Sequence, residues 1–544
     1  SVVDRHIQPV TGPYARLYVT KPTSVEGNQN LVVYELEVYG TPAAGAGAGA
    51  AADNAAREEL DPVERFKNIR LAEPYKALEH HNPILPHRFG ADPYAIVYGD
   101  RVYVYSTNDI FARDGAGNII NNHYGHIHTI NRVSSADLVN WTDHGWIDVG
   151  PLGRGKAPWA GNSWAPAATY KEIDGKTRFF LYFANSGNGI GVLTSDNPVG
   201  PWEDPIGRPL VSRSVPNANV MWLFDPAVVT DDEGKSYLYF GGGVPEGRAE
   251  NPGTARVVEL GPDMISLAGI PQVVEAPWFF EAAFVHRMGD KYYYSYSTNF
   301  SSREGAVGPH RPGLGQIVYM TSDHPMGPWE YQGLILDNPG RFFGTGGNNH
   351  HSIVQFHGEW YIFYHAQTLQ DAMGIKGGYR STHVDRMVVT EDGKIEPVQA
   401  TLTGVKQVRP FDPYQRVEAE TMAWSAGIET LPTKEPSAVF GPINMVVAGM
   451  KDGSWLGLAG VDFGAGGPRT FTAKVASTVP GNAIKIAVDR PDGEAIGYVE
   501  VPVTGSLDRF QDVTVEVQGP GGVHDLFFVF AGDGFYFDAW EFGR

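Results

Sequence analysis

Three carboxylates, a histidine and a tryptophan stand at matching places in a repeated pattern. Asp92 occurs in FGADPYAIVYGD, Trp164 in NSWAPAATYKEIDGK, Asp225 in LFDPAVVTDDEGK, Glu281 in WFFEAAFVHRMGD and His350 in NNHHSIVQFHGE. They precede the next turn glycine by 7, 11, 9, 8 and 8 residues, respectively. Carboxylates gathered around one channel repel each other and are partly desolvated, so their pKa values spread apart. One then stays protonated and another stays charged. A proton donor facing a proton acceptor across a cavity is the arrangement for glycoside hydrolysis. Singly the residues say little. Asp precedes Pro at Asp61, Asp92, Asp204, Asp225 and Asp412, and most such pairs make turns. Glu281 is more informative, because a solvated Glu is out of place amid WFFEAAF. Its structural alternative is a buried ion pair with Arg380 or Arg287. The register shared by all five residues favours the functional reading.

Those residues need a scaffold that brings five separate segments to one axis. Five times a turn leads into an aromatic strand: GDRVYVYST (99–107), GKTRFFLYFANS (175–186), GKSYLYFGGG (234–243), GDKYYYSYST (289–298) and GEWYIFYHAQ (358–367). Successive starts are 76, 59, 55 and 69 residues apart. A second motif recurs beside them, in SADLVNWTDHG, TSDNPVGPWEDP and TSDHPMGPWEYQG. Each unit is long enough for a four-stranded antiparallel sheet, and five such units predict a five-bladed β-propeller. The alternative is a sandwich with chance Tyr-rich strands.

Composition agrees. The 544 residues include 66 Gly, 39 Pro and 12% aromatics, a turn-rich and Tyr/Trp-rich texture that reads as all-β. With no cysteine, disulfides, thiolate metal sites and a cysteine nucleophile are excluded. The formal charge of −20 disfavours nucleic acid or an anionic membrane surface as partner. No apolar run approaches the roughly 18 residues that span a bilayer. The chain opens SVVDRHIQPV, without a Met or a signal-peptide pattern, and is expected to be processed or truncated. The Ala/Gly stretch at 41–58 reads as a linker. This divides the chain into a short block at 1–40, a linker at 41–75, a propeller at 76–410 and a second β domain at 411–544.

The motifs ADPYAIVYGDRVYVYSTND, NSWAPAATY, FDPAVVTDDEGKSYLYFGG, FFEAAFVHRMGDKYYYSYSTN and YRSTHVDRMVVTEDG together resemble glycoside hydrolase family 43. The resemblance implies a five-bladed propeller that inverts α-L-arabinofuranosides or β-D-xylosides. On that footing Asp92 is the general base and Glu281 the general acid, with Asp225 raising the acid's pKa and orienting it. His350 matches the family's central His, which holds a water or calcium on the propeller axis. Arg380 matches an Arg that contacts the sugar or the acid–base pair. Trp164, Trp222 and Phe224 are candidates for the sugar-binding wall, with Phe224 the more structural of them.

Farther on, RVEAETMAWSAGIE, DGSWLGLAGVDFGAG and HDLFFVFAGDGFYFDAWEF resemble carbohydrate-binding module family 6, a β-sandwich of jelly-roll type. That resemblance implies a structural calcium held by Glu418, Glu420 and Asp538. The family's sugar-binding Asn is replaced by Tyr536, which removes a polar anchor, and Phe510 stands where an aromatic is expected. ARLYVTKPTSVEGNQNLVVYELEVYG resembles the last strands of a discoidin-like module. The combined expectation is a secreted, monomeric exo-acting α-L-arabinofuranosidase on plant cell-wall arabinoxylan or arabinan, with no catalytic cofactor. The alternatives are a β-D-xylosidase and a non-catalytic carbohydrate-binding propeller.

Overall fold

The structure, a computed structural model, describes residues 61–115, 117–151 and 153–544. The expected discoidin-like remnant and the Ala/Gly linker lie outside the described residues. Five antiparallel sheets form the blades. Blade one comprises β1 (Ala91–Tyr98), β2 (Arg101–Thr107), β3 (Thr129–Ser135) and β4 (Trp141–Asp148). Blade two comprises β5 (Trp164–Ile173), β6 (Lys176–Ala184), β7 (Gly189–Ser195) and β8 (Val211–Ser212). In blade three are β9 (Ala227–Thr230), β10 (Ser236–Phe240), β11 (Arg256–Glu259) and β12 (Gln272–Val273). Blade four holds β13 (Phe279–Met288), β14 (Lys291–Thr298), β15 (Ile317–Ser322) and β16 (Glu330–Leu336). Blade five has three strands, β17 (His351–Phe356), β18 (Glu359–Ala366) and β19 (Ser381–Met387).

Period-two alternation explains the ring. In β2, Tyr103 and Tyr105 face the cluster shared with blade two, while Val102 and Val104 face the cluster shared with blade five. Every aromatic strand is buried on both faces, so each blade is sandwiched between neighbours. The ring closes where Val354, Phe363 and Val384 of blade five pack against blade one. Ala95 donates its backbone N–H to Ser352 Oγ at 3.0 Å across the same seam.

Residues 424–543 form two packed sheets. One runs in the order Glu429–Pro432, Met445–Ala448, Phe535–Gly543, Thr470–Ser477, Gln511–Glu516. The other runs Trp424–Ala426, Trp455–Asp462, Val523–Ala531, Asn482–Val488, Ala495–Val501. Phe471, Phe528, Phe537 and Trp540 fill the space between them. The sandwich is not tethered loosely: Thr421–Met422 pairs with β4 as a fifth strand of blade one. Asp143 of β4 accepts hydrogen bonds from Arg88, His87 and, across the junction, Thr430 Oγ1 at 2.6 Å. Residues 62–75, read from sequence as the end of a linker, instead strap onto the sandwich. Phe66, Leu71 and Ala72 pack on the Trp424–Trp455–Phe527 cluster, and Trp455 Nε1 donates to Ala72 O at 2.8 Å.

Candidate active site

The innermost strands of three blades carry the same local distortion, and it decides which side chains reach the axis. In β1 the ladder with β2 skips between Ala91 and Tyr94; in β5 it skips between Trp164 and Ala167; in β13 it skips between Glu281 and Phe284. Each is a β-bulge in which one residue turns left-handed. Those residues are Asp92 (φ +51°), Ala165 (φ +41°) and Ala282 (φ +62°), and Asp225, ahead of β9, repeats the conformation at φ +49°. Pro93, Pro166 and Pro226 follow three of them, where the bulge leaves no ladder partner for an N–H.

This corrects the single shared register expected from sequence. Ala91 pairs with Thr107, Trp164 with Ala184 and Glu281 with Ser297, so Trp164 and Glu281 are equivalent to Ala91, one residue ahead of Asp92. Two bulge positions, not one, feed the pocket. Asp92 and Asp225 come from the left-handed position; Trp164, Phe224 and Glu281 come from the position before it. The left-handed residues also stitch neighbouring blades together, because their N–H groups point out of their own ladders. Asp92 N donates to His365 Nδ1 (3.0 Å), Ala165 N to Thr107 Oγ1 (2.8 Å) and Ala282 N to Asp225 Oδ2 (3.0 Å).

Asp92, Asp225, Glu281, His350, Arg380, Trp164 and Phe224 all line one narrow pocket. Trp222 does not: its ring stands behind the wall, edge-on to Phe224 at 5.4 Å and to Phe280 at 5.3 Å. Tyr124, Ile127 and Asn348 complete the lining and were not found from sequence. Tyr124 and Trp164 form a lip, with ring centroids 6.0 Å apart and Trp164 Nε1 donating to Tyr124 O at 2.9 Å.

Asp92 is 5% exposed and densely held. Its Oδ1 accepts from Arg380 at 3.0 Å, and its Oδ2 accepts from Thr107 Oγ1 at 2.7 Å. Burial alone would raise its pKa, but Arg380, His350 and His365 outweigh burial and hold the carboxyl well below its usual range. Arg380 is in turn locked by Asp109, which accepts from its backbone N–H, Nε and Nη2 at 2.8–3.0 Å. His350 Nδ1 lies 3.4 Å from Asp92 and 3.9 Å from Asp225; burial lowers its pKa, yet the two carboxylates win and raise it.

Glu281 is the opposite case. Its Oε1 is buried without a hydrogen-bond partner. Burial and then the negative Asp92 push its pKa up, against a smaller pull from Arg380. The buried ion pair weighed from sequence is not formed: Arg287 pairs with Asp232 at the surface, and Arg380 bonds Asp92 and Asp109. Asp225 is likewise pushed up, first by burial and then by Glu281 and Asp92, with His350 opposing. The pocket therefore presents one carboxylate held in its charged form and, facing it, carboxyls pushed toward the protonated form, which is the division of labour general acid–base chemistry requires.

Residues 80–395 match Glycosyl hydrolases family 43, and residues 418–544 match Carbohydrate binding module (family 6). The chain belongs to glycosyl hydrolase family 43. An arabinoxylan arabinofuranohydrolase of Bacillus subtilis is 47% identical over 485 residues, 86% of this chain and 93% of that protein. An arabinoxylan arabinofuranohydrolase of Paenibacillus polymyxa is 46% identical over 477 residues, covering 85% of this chain and 74% of that one. The crystal structure of a family 43 arabinoxylan arabinofuranohydrolase from Bacillus subtilis, in complex with cellotetraose, superposes with a TM-score of 0.83 at 47% identity. That superposition covers 87% of this chain and 99% of the other. The all-β propeller and sandwich expected from sequence fall in the two separately matched segments, and the chain is a glycoside hydrolase with a carbohydrate-binding module.

Proposed function

We propose that the protein is an inverting, exo-acting α-L-arabinofuranosidase that removes arabinose side chains from arabinoxylan. The observation that carries this reading is the match to arabinoxylan arabinofuranohydrolases at 46–47% identity through both propeller and sandwich. The small pocket around the carboxylates supports release of a single terminal sugar over cutting within a chain. A polymeric substrate too large to enter a cell supports an extracellular location.

In the proposed reaction Asp92, charged and aimed by Thr107 and Arg380, takes a proton from water. Glu281 gives its proton to the glycosidic oxygen as the bond breaks. Asp225, bonded to the Ala282 N–H next to the acid, holds Glu281 in place. An inverting site needs about 6.5–9.5 Å between base and acid to admit the water. Catalysis needs no cofactor. Comparing p-nitrophenyl α-L-arabinofuranoside with p-nitrophenyl β-D-xyloside tests the specificity. Turnover of the arabinofuranoside is expected to dominate, and preferential turnover of the xyloside would make the protein a β-xylosidase.

Asp109 belongs to the same machinery as a positioning residue. Asp109→Ala frees Arg380 from three hydrogen bonds, so the guanidinium that most depresses the pKa of Asp92 is no longer locked against it. The expected result is a fall in kcat with the acid limb of the kcat/KM profile moved to higher pH. Asp109→Glu should restore part of both. An unchanged acid limb would show that Asp109 is structural only.

We also propose that Glu418, Glu420 and Asp538 hold a calcium ion in the sandwich. All three are at most 2% exposed, Glu420 Oε2 has no partner, and oxygen donors suit a hard cation. Against this, Lys474 Nζ already lies 2.9 Å from Asp538 Oδ2, and no group of three His, Cys, Asp or Glu side chains among the described residues is gathered closely enough to hold a metal. Binding therefore requires the three carboxylates to close in. Burial, followed by their mutual repulsion, raises the pKa of Glu420, and burial raises that of Glu418. A raised carboxyl favours the fold below its unfolded pKa and loses that contribution as pH rises through the folded value. Calcium would replace the protons. It should raise Tm by several degrees at pH 8 and by less at pH 5, with EDTA reversing the gain. A calcium effect independent of pH, or none, would remove this assignment.

A further inference from the structure

A second cavity lies between the propeller and the sandwich. Its volume is about 520 Å³, against about 70 Å³ for the catalytic pocket. The size is that of a ligand site, and domain junctions are where such sites concentrate. It shares a wall with the catalytic pocket, because Asp109 lines the cavity while its carboxylate holds Arg380, which lines the pocket. Both domains contribute: blade one supplies Asn108, Phe111 and Trp146, the sandwich supplies Ser425, and Tyr75 and His87 come from the segment that precedes β1.

The chemistry of the lining selects a class of ligand. Arg88 and Asp109, the charged groups of the wall, are each committed to a partner, Asp143 and Arg380 respectively. Asp148 sits at the rim, open to solvent. No buried unpaired charge demands an ion. What remains is apolar ring surface beside small hydrogen-bonding groups. Tyr75 is 51% exposed although it has a large ring. His87 adds an independent sign. Its side chain is 6% exposed, its Nε2 is fixed on Asp143 Oδ2 at 2.9 Å, and its Nδ1 has no partner. A buried ring nitrogen left unpaired is destabilising until a partner reaches it. Flat apolar faces with scattered hydrogen-bonding groups suit a neutral polyhydroxylated chain.

We propose that this cavity is a second saccharide site that holds a stretch of the β-1,4-linked xylose backbone while a side chain of the same polymer occupies the catalytic pocket. The assignment rests on the arabinoxylan reading for its choice of sugar. Backbone held here adds affinity only for substrates long enough to span both sites, since the second contact is then intramolecular.

The test uses the whole protein with Tyr75→Ala and, separately, Trp146→Ala. Binding of xylohexaose is measured by calorimetry in a Glu281→Gln background, and hydrolysis in the otherwise native enzyme. Affinity for xylohexaose should fall at least about fivefold, and KM on polymeric arabinoxylan should rise to match. kcat/KM for p-nitrophenyl α-L-arabinofuranoside should stay within about twofold. Unchanged xylohexaose affinity in the variants overturns the proposal. So does a parallel loss on the small aryl substrate, which would make the cavity part of the catalytic pocket. If Trp146→Ala fails to fold, the half-exposed Tyr75 decides alone. If the native enzyme releases no arabinose from arabinoxylan, the functional reading fails, while xylohexaose binding still reports on the cavity.

Discussion

Glu281→Ala should lower kcat/KM on arabinoxylan by about 10²–10⁴-fold, the range that positioned general acid–base catalysis supplies. The loss on p-nitrophenyl α-L-arabinofuranoside should be at least about tenfold smaller, since nitrophenolate departs without protonation. The structure gives the reason. Glu281 Oε1 is buried in the pocket without a partner, and burial beside Asp92 raises its pKa to about 8. The group is thus still protonated at neutral pH and can donate. As pH rises through that value the donor is lost, so the native enzyme should show an alkaline limb near pH 8 that the alanine variant lacks. Equal losses on both substrates would remove Glu281 from the role of acid.

Asp92→Asn should abolish activity on both substrates alike, because a good leaving group does not replace the base that deprotonates water. It should also lower stability. Asp92 accepts from Arg380 and lies 3.4 Å from His350, both buried. Removing one partner of a buried ion pair costs about 3–5 kcal/mol. The lower end is expected, because Arg380 keeps Asp109. The stability loss should be present below the neutral range as well as at it. Asp92 is held well below its normal pKa, so its contribution vanishes only as pH falls through that depressed value. Full activity on the aryl substrate would contradict the assignment of the base, and an unaltered melting curve would contradict the ion-pair network.

The propeller was legible because its signal is local and repeated: alternating Tyr and Val in GDRVYVYST is enough to specify a strand buried on both faces. The carboxylates were legible because they stand next to those strands. Their exact register was not. A bulge shifts pairing by one residue without any composition mark beyond Pro93, Pro166 and Pro226, and blade four has Ala283 there instead. Glu281 and Trp164 were therefore aligned with Asp92, although they are equivalent to Ala91. Asp109 and His365 were missed for a different reason. Each acts across blades, on Arg380 and Asp92 respectively, at separations of 271 and 273 residues. The only local hint for Asp109 was a second acidic residue directly after an aromatic strand, in STND. Trp222 failed because an aromatic next to a carboxylate can just as well support the wall as form it. The strap at 62–75 reads as linker in the sequence because its few apolar residues follow no strand or helix period; Phe66 and Leu71 pack on the sandwich, and Ala72 adds hydrogen bonds to Gly453 and Trp455.

Proton NMR of arabinoxylan hydrolysis, followed from the first minutes, tests the central claim most directly. The proposed mechanism predicts that arabinose is the released sugar and that it first appears as the β-L-furanose, inverted from the α-linked substrate. First appearance of the α anomer, or release of xylose in place of arabinose, would contradict it.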